Sequence, residues 1–380
     1  VLRKTALSSC PHRPPCPGCP RYGERGIAPA AATILHEIAA AAAIEEPVLH
    51  EGGAAGFRHR ARLAVRGRAR SPKIGLFQTG THRIVDIPRC RVHHPVVNRV
   101  AAAVKDAIRA TGIAPYADAT HRGLVRYLQV VVERSSRRAQ VVLVGNDDRP
   151  DSLAPLREAL EPTLGTTLHS LWWNGNPERT NTILGPHWFH WAGPDAVREQ
   201  INDVDVFFPP GAFGQSHLDL AERIALDVAA HAAGATRIVE LYAGCGALGL
   251  GLVRRGAHLA FNERSEDGLA GLRMGLGALP ADLRTQATIH AGSAADHADL
   301  LHGTDLAIVD PPRKGLDPEI IEAVIRSDLR RLVYVSCNPE SLRRDLAALV
   351  APGSMRLTHL AAYALFPYTE HVEALAVLDR

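Results

Sequence analysis

The chain lacks a long hydrophobic run, an apolar leader, a strong net charge and a large complement of cysteine, and each scarcity removes a class of protein. Its longest apolar stretch, AAATILHEIAAAAAI, is mostly alanine and is broken by His36 and Glu37, which suits a water-exposed helix and not a bilayer span. The opening residues, VLRKTALSSCPHRP, contain no apolar core of a secretory leader. Both features imply a cytoplasmic protein with no membrane partner. A formal net charge of +3 over 380 residues makes any basic surface a local one. The six cysteines are Cys10, Cys16, Cys19, Cys90, Cys245 and Cys337. In a long chain with no leader, clustered cysteines argue for metal binding or catalysis and not for a disulfide framework. Neither an internal repeat nor a long low-complexity tract is present.

What is there divides by pattern into three regions, in keeping with a length that allows about two to three domains. Residues 1–54 form a Cys/Pro loop followed by an Ala-rich helix. Residues 55–205 alternate in strand-like fashion and are rich in arginine, histidine and tryptophan, as a smaller α+β domain would be. Residues 206–380 alternate apolar strands with helices, through RIVELYAG, AHLAFNE, ATIHAG, LAIVDPP, RLVYVSC, LTHLAAYALF and HVEALAVLD. This alternation predicts an α/β fold with a doubly wound parallel sheet. Only FPYTE separates the last two strands, so they are expected to form an antiparallel hairpin at one edge.

The strand RIVELYAG runs into a glycine turn, Gly244-Cys245-Gly246, ahead of a helix. Glycines allow a tight turn and close approach of a ligand, and a helix N-terminus offers unpaired N–H groups. Glu263 follows at the end of the next strand, about twenty residues on, where an acid can hold a ribose diol. Such a turn alone also fits dinucleotides or a plain packing turn. The pattern from Glu240 through Gly244 to Gly246, E-x-x-x-G-x-G, differs from the dinucleotide fingerprint, and the fourth strand ends in Asp310-Pro311-Pro312-Arg313. Together these resemble a Rossmann-like S-adenosylmethionine-dependent methyltransferase.

The segment RLVYVSCNPESLRRDL places Cys337 at a strand's C-terminal tip, where ligands bind in open parallel sheets. Alone it reads as readily as a small buried hydrophobe. Methylating C5 of a pyrimidine, however, requires a thiolate to add at C6 and a base to remove the C5 proton. In a sheet of this type the final strand runs antiparallel beside the fifth, which brings its beginning, Glu370 to Glu373, near Cys337. Glu373 lies within the strand pattern and is expected to be the base; Glu370 reads as a solvated turn charge.

The segments Asp310-Pro-Pro-Arg-Lys-Gly, Val335-Ser-Cys-Asn-Pro and Phe366-Pro-Tyr-Thr-Glu-His-Val-Glu resemble those of the RNA uracil-C5 methyltransferases, which make 5-methyluridine in ribosomal and transfer RNA. The resemblance covers almost the whole chain. It implies Cys337 as nucleophile, Glu373 as general base and Asp310 in the active site. It implies a cofactor site for S-adenosylmethionine made by Gln215, from the Phe213-Gly214-Gln215 segment, with Glu240, Tyr242, Gly244, Gly246, Glu263 and Asp310. Enzymes acting on cytosine C5 would carry a cysteine where this chain has Pro312.

Cys10, Cys16, Cys19 and Cys90 offer four thiols. By spacing alone they suit zinc nearly as well as iron–sulfur, with His12, His93 and His94 as alternative ligands. The family resemblance implies a [4Fe–4S] cluster on Cys10, Cys16, Cys19 and Cys90 that organises the N-terminal segment and the RNA surface, since the chemistry needs no electron transfer. Cys245 is given no role. Along FRHRARLAVRGRAR, residues 57–70, alternation puts Arg58, Arg60, Arg62, Arg66, Arg68 and Arg70 on one face, a row suited to phosphates or else an ordinary solvated face. Trp172, Trp173, Trp188 and Trp191 are expected to be mainly core, with stacking on bases the alternative. Members of that family often carry an additional small N-terminal RNA-binding β-barrel, which is not expected in the residues before Cys10. The expected protein is a monomeric RNA uridine-C5 methyltransferase, with large-subunit (23S) ribosomal RNA preferred over transfer RNA. The rivals are a cytosine enzyme, a non-catalytic RNA-binding protein on the same fold, and an iron–sulfur redox protein, for which no second cofactor site is seen.

Overall fold

The computed structural model describes residues 9–380. Its C-terminal half is built on an eight-stranded sheet in the order Val48–His50, Arg356–Tyr363, Glu373–Asp379, Arg331–Ser336, Leu306–Val309, Arg237–Leu241, His258–Glu263 and Ala287–Ala291. The last five in that order are mutually parallel. Glu373–Asp379 is antiparallel to both its neighbours, Arg331–Ser336 and Arg356–Tyr363. The hairpin expected from the sequence is therefore present, but it is not the edge of the sheet, because Val48–His50 adds in parallel alongside Arg356–Tyr363. Central strands such as LAIV, 306–309, are apolar at every position because helices cover both faces.

Two segments from outside the strand–helix repeat pack on this sheet. Helix Pro29–Ala41 buries Ala31, Leu35, Ile38 and Ala39 in the same core as Leu342, Leu346 and Leu349 of helix Pro339–Val350. Its alanine-rich face permits that close approach. The hairpin Val197–Ile201/Val204–Phe208 sends Ile201, Val204, Val206 and Phe208 into the core on the other face.

The remaining region is a seven-stranded sheet running from Ile84–Asp86 to His187–Ala192, backed by helices Pro95–Thr111 and Ala154–Leu164. The arginine row on its strand Arg60–Arg68 is not the open surface that alternation predicts. Arg66 is buried; it makes a bidentate pair with Asp118 at 2.6 and 2.9 Å and lies over the rings of Phe77, Tyr116 and Tyr127. Arg60 donates to the Ala212 carbonyl at 2.9 Å and bridges the two halves of the molecule. Arg62, Arg68 and Arg70 remain exposed. Alternation assigns a face, but it cannot say that aromatic rings will cover part of it. Trp173 is in the core, while Trp172 is partly buried and stacks on His190 with centroids 4.1 Å apart. Among the described residues no helix is long and apolar enough to cross a membrane.

Candidate active site

The C-terminal tips of the parallel strands open onto one cavity of about 940 Å³, lined among others by Gln215, Glu240, Tyr242, Gly244, Glu263, Asp310, Cys337 and Glu373. It lies where a doubly wound sheet leaves a crevice at its switch point. At the floor, strand Arg237–Leu241 ends in Tyr242 and Gly244, both at positive φ (60° and 55°). That turn exposes the Gly244 N–H, which donates to Glu263 Oε2 at 2.7 Å; Glu263 Oε1 accepts from the amides of Arg264 and Ser265. Glu263 is thereby fixed by backbone with lone pairs to spare for a diol. Gly246 does not line the cavity. A Cβ there would meet Leu272 Cδ1 at 2.6 Å, so this glycine serves the packing of helix Glu266–Ala278. Tyr242 donates its hydroxyl to Asp317 at 3.1 Å.

The nucleophile candidate and the base candidate meet by register. Ser336 pairs with Ala374 across the antiparallel ladder, so the next residues outward are Cys337 and Glu373. Asn338 holds the cysteine's turn: its side chain accepts from the Glu340 N–H, capping helix Pro339–Val350, and its Nδ2 donates to the Arg313 carbonyl at 3.0 Å. That bond ties the Cys337 turn to the Asp310-Pro311-Pro312 turn. Glu373 is buried with Oε1 unpartnered, whereas Glu370 is exposed in the turn. Glu240 is likewise buried with Oε2 unpartnered. Both residues line the cavity, and a carboxylate left short of partners there suits a cationic or hydroxyl-bearing ligand.

Burial dominates the site's electrostatics. It pushes the Asp310 carboxyl up to about 7. It raises Glu373 well above the usual carboxyl range, with Asp310 adding to the rise and Arg313 and Gln215 opposing it. Glu240 is raised for the same first reason, then by Asp310. The Cys337 thiol is pushed up to about 11 by burial and then by Glu373 and Asp310, against Arg313. Three acids crowding a low-dielectric cavity cannot all ionise without a positive charge among them.

Sequence reasoning passed over Phe366, His371 and Arg313, which also line the cavity. All three belong to motifs the sequence did single out, so their position near Asp310 and Glu373 in the chain was the available signal. Phe213 stands 71% exposed on the cavity wall.

The four N-terminal cysteines lie outside the cavity lining. Cys10, Cys16 and Cys19 lie in one loop and Cys90 in another, all half-buried. Cys19 is pushed up to about 12 by burial and then by Cys90, Cys16 and Cys10, so the thiols are neighbours. Among the described residues, however, no three His, Cys, Asp or Glu side chains converge on a common metal-binding point. Two of the alternative zinc ligands are engaged elsewhere: His12 Nε2 accepts from the Arg89 N–H at 3.2 Å and His94 Nδ1 from the Val96 N–H at 3.3 Å.

Sheet order, glycine turn and strand-end acids define a Rossmann-like methyltransferase. Comparison with known proteins narrows the class. Residues 301–380, which carry Asp310, Cys337 and Glu373, match the family described as tRNA (Uracil-5-)-methyltransferase. An RNA methyltransferase of Protochlamydia amoebophila is 34% identical over 391 aligned positions, spanning 100% of this chain and 99% of that one. One from Gloeobacter violaceus is 32% identical over 88% of this chain and 73% of its own length. In fold, the chain is similar to the tRNA (uracil-54, C5)-methyltransferase of Pyrococcus abyssi, crystallised with S-adenosyl-L-homocysteine, with a TM-score of 0.79, 24% identity, and coverage of 96% of this chain and 86% of that one. The chain belongs to the S-adenosylmethionine-dependent RNA (uracil-5)-methyltransferase family.

Proposed function

We propose that this chain methylates a uridine of large-subunit (23S) ribosomal RNA at C5 through a covalent enzyme–RNA adduct, with Cys337 as nucleophile, Glu373 as base and Asp310 beside them. The observation that carries the mechanism is the register that sets Cys337 opposite Glu373 at the mouth of the cavity. Gln215, Glu240, Tyr242, Glu263 and the Gly244 turn would hold S-adenosylmethionine, which would supply an electrophilic methyl group and a positive charge and would leave as the neutral thioether when its sulfonium–methyl bond breaks. Cys337 gives up its thiol proton to solvent as its sulfur bonds to C6 of the uracil, and the electron pair displaced onto C5 and O4 makes C5 nucleophilic. Arg313, which opposes the acids electrostatically, is the cavity's cation near Cys337 and Glu373 and offsets the charge that develops. Once C5 carries the methyl group, the Glu373 carboxylate takes the C5 proton; the C6–S bond breaks and the C5–C6 double bond re-forms. Burial raises the proton affinity of Glu373, and the positive charge of bound S-adenosylmethionine would favour its carboxylate until the methyl group is transferred.

Transfer RNA is the second reading for the substrate, favoured by the family described over residues 301–380 and by the activity of the Pyrococcus abyssi protein. For the cysteine loop we propose a [4Fe–4S] cluster on Cys10, Cys16, Cys19 and Cys90, which supplies structural order and no step of the reaction. The proximity of the four thiols supports it. Iron and acid-labile sulfide in anaerobically purified protein, both lost in Cys19→Ser, are expected; zinc without sulfide would replace the cluster with a zinc site.

The decisive experiment supplies methyl-labelled S-adenosylmethionine with ribosomal or transfer RNA carrying 5-fluorouridine. Fluorine cannot leave as a proton, so a labelled protein–RNA adduct should accumulate and vanish in Cys337→Ala. Sequencing the trapped RNA names the target. Adduct formation that survives Cys337→Ala would sink the assignment of the nucleophile, and adduct confined to transfer RNA would replace the ribosomal substrate.

A further inference from the structure

The loop 366–372, which leads into the strand bearing Glu373, is held from outside by the cysteine segment. The Arg21 N–H donates to the Tyr368 carbonyl at 3.0 Å, and Arg21 Nη1 donates to the Thr369 carbonyl at 3.4 Å. The rings of Tyr22 and Tyr368 lie 5.0 Å apart. Phe57, Val92 and Tyr368 form a small buried cluster against which Cys19, Tyr22 and Cys90 pack. Tyr368 itself sits at a φ of 70°, a left-handed backbone that a bulky residue keeps only where its surroundings hold it.

At the centre of this junction is Arg58. Its N–H donates to the Val92 carbonyl at 2.8 Å and its carbonyl accepts from the His94 N–H at 2.9 Å, which pins it to the segment just after Cys90. Its guanidinium carbon lies 5.9 Å from the centroid of the Phe366 ring, and its Nε is buried without a hydrogen-bond partner. The acids whose field reaches it are Cys90 and Cys19. Phe366 and His371 in turn line the cavity that holds Cys337 and Glu373.

We propose that Arg58 is a positioning residue for methyl transfer, tying the four-cysteine site to Phe366 and through it to the loop that presents Glu373. The inference rests on reading the cavity as the uridine pocket. A buried guanidinium needs negative charge or a π face to offset its lost hydration. The Phe366 ring supplies that face, and Cys90 and Cys19 pack at the same junction. Removing the cation, or disturbing the Cys90 packing beside it, removes the backing of Phe366 and loosens the loop. Misplacing a reacting group by about 1 Å costs on the order of 100-fold in rate.

The test compares Arg58→Ala, Arg58→Lys, Cys90→Ser and the double variant Arg58→Ala/Cys90→Ser. Amide hydrogen exchange over 366–372, measured without RNA or S-adenosylmethionine, gives a readout independent of catalysis. Arg58→Ala is expected to speed exchange across 366–372 and to lower kcat about 10- to 100-fold while leaving the KM for RNA nearly unchanged. Arg58→Lys should restore most of both, and the double variant should be no worse than the poorer single change, as members of one linkage behave. If Arg58→Ala does not fold, Arg58→Gln carries the same comparison. Unaltered exchange, a loss in KM alone, or additive losses would each overturn the proposal. If the wild-type protein transfers no methyl group, the proposed function fails, while the exchange data still decide whether Arg58 couples the cysteine site to the loop.

Discussion

At the residue scale the site is governed by carboxyls that fold against their own charge. Asp310 has an ordinary value of 3.8 and is pushed up to about 7 by burial. Below about pH 4 both folded and unfolded chains hold the proton, and no stability is lost. As pH rises from there to about 7 the unfolded chain releases it and the folded chain retains it, so stability falls across that window and stays low above it. Asp310→Asn should therefore raise the melting temperature of the ligand-free protein at pH 8, by a gain on the order of 4 kcal/mol, and change it little at pH 4. The same variant should lose methyl transfer. A melting temperature at pH 8 equal to or below wild type would mean that the cavity already solvates Asp310. Stability surrendered for a charged pocket is the usual mark of a site kept for chemistry.

At the element scale the cysteine turn depends on a helix cap. Asn338 was legible in the sequence as the end of a strand and the start of a helix, and the structure gives its side chain both tasks: it caps Pro339–Val350 and reaches the Arg313 carbonyl. Asn338→Ala should cost about 1 kcal/mol in thermal or denaturant unfolding. It should also lower kcat more than such a stability loss explains, because two active-site turns lose their link. Asn338→Asp, which keeps the cap but not the donor, separates the two: restored stability with kcat still depressed is expected, and recovery of both would show that the cap alone matters. The strand tips were readable because apolar runs and turn residues mark them locally. The added strand Val48–His50 was not, since three residues on a sheet edge carry no periodic signal of their own.

At the scale of the whole molecule the arginines divide by environment. Arg66 is locked between Asp118 and three aromatic rings, while Arg68, on the same strand, is exposed. Arg66→Ala strands a carboxylate and is expected to destabilise the protein by about 3 kcal/mol. Arg68→Ala should leave the melting temperature alone, weaken RNA binding, and flatten the dependence of affinity on salt by about one counterion. Equal salt slopes for Arg68→Ala and wild type would remove that residue from the RNA surface.

The sequence by itself determined the strand–helix order, the glycine turn, the strand-tip positions of Asp310 and Cys337, and the choice of Glu373 over Glu370 as the residue inside the strand. All of these follow from patterns within a few neighbouring residues. Only the tertiary structure decided that Cys337 and Glu373 meet in register, that Gly246 packs against a helix instead of lining the cavity, and that half of the arginine row is interior. It alone brought the cysteine loop against loop 366–372. Those outcomes depend on which distant surfaces remove one another from water, a property that no local period encodes.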